Sequence, residues 1–238
     1  MLEINNITFG YDPVRNIFKG FSMSCQENGV YGLLGKNGTG KSTLLYLIMG
    51  MLRPKAGEVR FNGIDTSLRN PETLASMFIV PEEYELPNIS LRQYFRTLVP
   101  FYPRFSEEML NKCLDGFEME RDIDLKSLSM GQKKKVYMCL ALAANTQLLL
   151  MDEPTNGLDI PSKSQFRKVL AGSINEDQTI IISTHQVKDV ELLLDHVMMI
   201  DDNKVLVNDK MDNLFGEDET VDLEKLFNEK YAEYGKVK

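Results

Sequence analysis

The segment Gly35-Lys36-Asn37-Gly38-Thr39-Gly40-Lys41-Ser42-Thr43 constrains this chain more than any other. It has the spacing G-x-x-x-x-G-K-[ST] in the setting that this spacing requires. The apolar run Val30-Tyr31-Gly32-Leu33-Leu34 precedes it and reads as a buried strand. Leu44 to Met49 follows with helical apolar character. Glycines let the backbone curl so that successive N–H groups point inward at phosphate oxygens. The helix that follows adds the partial positive charge of its N-terminus. Lys41 can then reach the β- and γ-phosphates of a nucleotide, and the Ser42 hydroxyl can ligate Mg²⁺.

A second element fits the first. Leu148-Leu149-Leu150-Met151-Asp152-Glu153 is an apolar strand ending in two carboxylates. A buried strand delivers its C-terminal residues to the sheet edge where nucleotides bind. Asp152 there can hold Mg²⁺, and Glu153 can act on an attacking water as a general base. Alone, the pair would read equally well as a solvated acidic loop. Downstream of a phosphate loop the functional reading prevails.

The remaining pattern is an α/β one. Leu2 to Phe9 and Phe18 to Cys25 read as an antiparallel strand region, and Glu58 to Phe61 as a short strand ended by Asn62-Gly63. Met77 to Val80 is a buried-type strand stopped by Pro81. From Ser90 to about Ala144 the spacing is helical, with Ser90 and Ser106 as helix starts. Strands return at Gln147–Met151, Thr179–Ser183 and Val197–Ile200, with helices expected near 161–173 and 187–194. Such alternation means a mainly parallel sheet with crossover helices. The expectation is one domain over 1–238, with an N-terminal antiparallel β subdomain, an inserted helical subdomain near 84–145 and a charged helical tail over 217–238.

Composition narrows the partners. The 238 residues carry 27 basic and 35 acidic side chains, a formal charge of −8, which argues against nucleic acid as the partner. Hydrophobic content of 43% supports a sizeable core. Cys25, Cys113 and Cys139 form no C-x-x-C pair, so the expectation is reduced thiols in a cytoplasmic protein rather than a zinc site. The N-terminus shows no signal-peptide pattern, and the longest apolar run, Val136–Ala144, has nine residues where a membrane span needs about 20.

Leu128-Ser129-Met130-Gly131-Gln132 opens a further apolar helix and on its own is an ordinary helix cap. In series with the other motifs, however, the chain resembles the nucleotide-binding subunits of ATP-binding cassette (ABC) transporters, in order over about residues 1–215. The phosphate loop is similar to the family's Walker A, Leu148–Glu153 to Walker B, Leu128–Gln132 to the signature, Asn156-Gly157-Leu158-Asp159 to the D-loop, and Ser183-Thr184-His185 to the switch histidine. Tyr11 stands where the family stacks an aromatic on adenine.

The resemblance implies a P-loop NTPase fold and Mg²⁺-dependent ATP hydrolysis. It implies a head-to-tail dimer, of two copies or with a related cassette, in which the signature of one subunit closes on the nucleotide of the other. Ser129 would then face the partner's γ-phosphate, and His185 would contact the γ-phosphate of its own subunit. Residues 84–145 would dock a separately encoded integral membrane permease, which would hold this chain at the inner face of the membrane.

Two departures stand out. The family's Gln after the strand ending at Val80 is replaced by Glu82, with Glu83 as the other register, and Glu82 is expected to take part in Mg²⁺ binding. Met130 replaces the commonest Gly. Only 53 residues follow His185, and Phe101–Phe105 and the lysines after the signature look most like ATPases of ABC-2 type bacterial exporters, so export is favoured over import. The alternatives are a soluble ABC ATPase unlinked to transport, or a catalytically weak regulatory cassette.

Overall fold

The computed structural model describes residues 1–215 and 222–235. The first half contains β1 (Leu2–Phe9), β2 (Phe18–Cys25), β3 (Gly29–Leu34), α1 (Lys41–Ile48), β4 (Ala56–Phe61), β5 (Ile64–Asp65), α2 (Pro71–Ala75), β6 (Met77–Val80), α3 (Leu91–Leu98) and α4 (Glu107–Gly116). The second half contains α5 (Met130–Ala143), β7 (Leu148–Asp152), α6 (Ile160–Ala171), β8 (Thr179–Thr184), β9 (His196–Asp201), β10 (Lys204–Lys210), α7 (Met211–Phe215) and α8 (Leu223–Gly235).

The strands form two sheets. One is antiparallel, in the order β2-β1-β4-β5. The other has the order β10-β9-β3-β8-β7-β6, parallel from β9 to β6 with β10 antiparallel at one edge. Every residue of β7 and β8 is buried, the mark of parallel strands covered on both faces. Alternate side chains divide between two cores. Leu149, Met151, Ile180 and Ile182 join the helical side, among Leu114, Phe117, Met138 and Phe166. Leu148, Leu150 and Ile181 face the other way, toward α1 and the antiparallel sheet.

Because β3, β6, β7 and β8 run parallel, their carboxyl ends share one edge. Register carries this to single residues: Leu34 pairs with Thr184, and Asp152 with Ser183. The phosphate loop, Glu82, Asp152-Glu153 and His185 therefore leave the sheet side by side.

Between β6 and β7 the chain is helical. Ser90 and Ser129 each make a reciprocal capping box, with Gln93 and Gln132, and Ser106 caps α4.

Three expectations are corrected or extended. Residues 187–194 form two short 3₁₀ turns, Val187–Asp189 and Glu191–Leu193, instead of one helix. The three-residue spacing of buried Val187 and Val190 suits a 3₁₀ turn as well as an α-helix. The chain must also straighten at once, because Asp195 pairs with the Val30 backbone through both its N–H and its carboxylate. Strand β10, unforeseen in sequence, follows a two-residue turn in which Asp202 and Asn203 have φ of 41° and 67°. Its lysine-flanked, half-exposed pattern is that of a protected sheet edge. The tail expected over 217–238 contains α8, while 217–221 and 236–238 lie outside the described residues. Among the described residues no helix is long and apolar enough to cross a membrane.

Candidate functional site

The loop from Gly35 to Gly40 bends sharply between β3 and α1. Gly40 caps α1 at φ 97°, and a Cβ there would strike Ile17 and Phe18. Gly35 is pressed against the Ile200 carbonyl and Thr39 Oγ1, at 2.9 and 2.7 Å from the place a Cβ would occupy. The loop closes on itself: the Lys36 carbonyl accepts from the Thr39 N–H at 3.3 Å and the Thr39 hydroxyl at 2.9 Å.

Lys41 is buried and turned back into this loop. Its ammonium donates to the carbonyls of Gly35 at 2.8 Å and Lys36 at 3.3 Å, and lies 3.6 Å from Glu153 Oε1. Burial pulls its pKa below the usual lysine value, and the carboxylates of Glu153, Asp152 and Glu82 push back.

Asp152 ends β7. Its Oδ1 accepts a short bond from the Ser183 hydroxyl, while its buried Oδ2 has no hydrogen-bond partner. Burial raises its pKa, against the hydroxyls of Ser183 and Ser42, which favour the anion. An orphaned carboxylate oxygen beside the Ser42 hydroxyl is a donor set that suits Mg²⁺.

Glu153 is held on all sides. Oε1 lies 2.9 Å from His185 Nδ1, and Oε2 accepts from Thr184 Oγ1 at 3.1 Å. An ionised carboxylate only accepts, so the contact is a hydrogen bond in the tautomer that places the His185 proton on Nδ1. The Glu153 backbone has φ of 44°, a left-handed conformation that costs a non-glycine residue about 1–3 kcal/mol. Its N–H donates to the Ser183 carbonyl at 3.0 Å, and its own carbonyl receives Lys134 Nζ at 3.0 Å. Lys134 also donates to the Asn156 carbonyl at 2.8 Å. Sequence reasoning passed over Lys134. The available signal was its place on the α5 stripe that continues through buried Met138 and Ala141.

Glu82 is exposed, and its Oε1 accepts from Asn156 Nδ2 at 2.7 Å. Together Asn37, Gly38, Gly40, Lys41, Ser42, Thr43, Glu82, Glu153, Asn156 and His185 line a cleft of about 400 Å³, with Ile17 on its wall. Tyr11 stands outside this lining, two-thirds exposed. Its hydroxyl is 3.2 Å from Thr43 Oγ1 and its ring lies edge-on to Phe9.

The signature residues Leu128–Gln132 do not line the cleft. Ser129 and Gln132 satisfy each other at the start of α5, Met130 is exposed, and Gly131 faces open space. Asp159 caps α6 through the Ser162 N–H at 2.8 Å. Among the described residues no three His, Cys, Asp or Glu side chains form a ready-made metal cage. An ion that arrives with phosphate oxygens does not need one.

A family profile described as "ABC transporter" matches residues 18–156, more than half of the chain. The chain belongs to the ABC transporter family. Its members hydrolyse ATP to power transport, and this chain is such an ATPase. A lantibiotic transport ATP-binding protein, SrtF of Streptococcus pyogenes, is 30% identical, with 96% of each chain covered. Among solved structures, an ATP-binding subunit of an ABC transporter superposes with a TM-score of 0.80 over 97% of this chain and 99% of that one, at 23% identity. CbiO1 of Clostridium perfringens, described as part of the ABC transporter complex cbiONQ, gives a TM-score of 0.73 at 29% identity, covering 91% and 90%. The ABC ATPase fold, with its antiparallel sheet, largely parallel sheet and helical insertion, is thus shared along nearly the whole chain.

Proposed function

We propose that this ABC cassette binds Mg²⁺-ATP in the cleft between the phosphate loop and Glu153, in a head-to-tail pair of cassettes, and drives a separately encoded membrane permease. The observation that carries the reading is the convergence on one cleft of Lys41, Ser42 and the Glu153–His185 pair, with the buried Asp152, which does not itself line the cleft, offering an unpartnered carboxylate oxygen beside Ser42. The SrtF and CbiO1 relatives, each named as a part of a transport system, support the membrane partner.

Ser42 and Asp152 would hold Mg²⁺, with Glu82 as the further carboxylate. The ion neutralises phosphate charge when bound. The backbone from Gly35 to Thr43 cradles the phosphates. Lys41 exchanges its loop carbonyls for a phosphate oxygen, a change that its burial and its position beside Glu153 make short. Glu153 accepts a proton from the attacking water. His185 releases Glu153 and turns to the γ-phosphate, so the base becomes free when the full triphosphate is present. Tyr11 supports adenine from the rim. Leu128–Gln132, exposed at Ser129, Met130 and Gln132, serves the nucleotide of the other cassette, and Asp159 lies on the same interface. ATP prefers the closed pair, and hydrolysis reopens it; the permease feels that shift in population. We assign the direction to export, from the likeness of Phe101–Phe105 and Lys133–Lys135 to ABC-2 type ATPases.

Glu153→Gln tests the reading. It preserves shape and most contacts while removing the base. Turnover should fall by about 10²–10³-fold, and ATP should hold the variant as a dimer in size-exclusion chromatography. A variant that turns over ATP at the parent rate removes Glu153 from this role. An inert parent chain would point to the regulatory alternative.

A further inference from the structure

Helix α8 lies far from the phosphate loop in sequence, yet one of its side chains enters that loop. Tyr231 is buried, at 7% exposure, in a helix otherwise rich in charge. Its hydroxyl donates to the Ile200 carbonyl at 2.7 Å and accepts the Lys36 backbone N–H at 3.2 Å. The Lys36 ammonium sits 4.4 Å from the centre of its ring. Burial pushes the phenol up to about 12, so it stays neutral and keeps both bonds at any physiological pH.

The Lys36 N–H belongs to the peptide plane whose carbonyl is that of Gly35. That carbonyl is the one that receives Lys41 at 2.8 Å. Tyr231 and Lys41 therefore grip opposite ends of a single peptide plane. The Ile200 carbonyl that accepts the Tyr231 hydroxyl also flanks Gly35, 2.9 Å from where a Cβ would stand. The far end of α8 is also tied near the site: Lys188, three residues past His185, pairs with Glu224 at 2.6 Å. Phe227 and Asn228 share a cavity of about 420 Å³ with His185.

We propose that Tyr231 is a positioning residue for ATP binding: through the Lys36 N–H it orients the Gly35–Lys36 peptide and sets the phosphate loop before nucleotide arrives. The inference rests on the reading of the cleft as the ATP site and adds α8 to that site. A preset loop loses less freedom on binding, so the effect falls on affinity. Once ATP is bound the cradle contacts are the same with or without the phenol, so turnover is spared.

The test is Tyr231→Phe, which keeps the ring and the Lys36 contact and removes only the hydroxyl. Lys230→Gln, at the half-exposed neighbouring position that pairs with Glu233, is the control. ATP affinity is read by calorimetry and KM and kcat by phosphate release. Amide hydrogen exchange of the nucleotide-free chain supplies a readout independent of activity. In the parent, the Lys36 amide should exchange far more slowly than an unstructured amide, and in Tyr231→Phe it should speed up by about tenfold or more. Kd and KM for ATP should rise about fivefold, the size of one ordinary hydrogen bond, with kcat within about twofold. An unprotected Lys36 amide in the parent overturns the proposal even if the variant fails to fold. Faster exchange with unchanged Kd, or a fall in kcat at constant KM, overturns it as well. A parent that binds no ATP refutes the reading of the cleft instead, and the exchange data still judge the bond.

Discussion

Removing the buried ammonium of Lys134 should damage both stability and turnover, by amounts that the geometry sets. Lys134 is 7% exposed and ends on two backbone carbonyls, Glu153 at 3.0 Å and Asn156 at 2.8 Å. In Lys134→Met both acceptors lose a charged donor, at about 1.5–3 kcal/mol each. Leaving an ammonium in water rather than burying it returns part of this; burial already holds the Lys134 pKa below its usual value. The net loss should be about 2–3 kcal/mol, or a fall of about 1 M in the urea midpoint if the slope is near 3 kcal/mol/M. The turn that carries the proposed base has the left-handed Glu153, which should relax when its carbonyl is released, so kcat should drop by about tenfold. Lys133→Met, the neighbouring half-exposed lysine, should change stability by less than about 0.5 kcal/mol. Urea unfolding followed by circular dichroism and a phosphate-release assay decide the matter. Equal midpoints for Lys134→Met and Lys133→Met would refute the claim that the ammonium braces this turn.

Other substitutions probe separate parts of the reasoning. Gly35→Ala places a methyl 2.9 Å from the Ile200 carbonyl, which cannot yield as a side chain would; stability should fall by about 1–3 kcal/mol and ATP binding by about tenfold or more, read by thermal melting and calorimetry. Glu82→Ala should raise the Mg²⁺ concentration for half-maximal ATPase activity, and an unchanged Mg²⁺ titration would dismiss Glu82 as a ligand. His196 is stacked on Tyr31 at 4.2 Å, and burial lowers its pKa from 6.5, against the carboxylates of Glu27, Asp195 and Asp209, while Lys210 reinforces the lowering. The folded state thus disfavours the proton, and the His196 contribution is lost as pH falls from 6.5 through the lower native value. In His196→Gln the stability difference between pH 8 and pH 5 should shrink, as measured by urea midpoints at both values.

Much of the fold is written in short-range pattern. The largely apolar runs of β3, β7 and β8 announce buried parallel strands, and Ser90, Ser106 and Ser129 mark the starts of α3, α4 and α5 by their own chemistry. Most of the cleft-lining residues are legible for the same reason, since phosphate loop and acidic strand end are local motifs. What escaped notice depends on distant partners. Tyr231 meets Lys36 across 195 positions, and inside a charged segment it resembles an ordinary surface aromatic. Lys134 lies within a run of three lysines, and only the packed helix shows which one is buried. Val187–Leu194 has helical spacing, but the demand that Asp195 reach Val30 breaks it into two turns. Strand β10 owes its pairing to β9 rather than to a strong pattern of its own.

Lys41 and His185 both lie against Glu153, and Lys41 also donates to the loop carbonyls of Gly35 and Lys36. ATP bound as proposed would compete with these internal partners before it gained any of them. A diphosphate, ending one phosphoryl group short, has less with which to compete. On the proposed reading these contacts act as a brake that the triphosphate lifts, and that returns when the terminal phosphate departs.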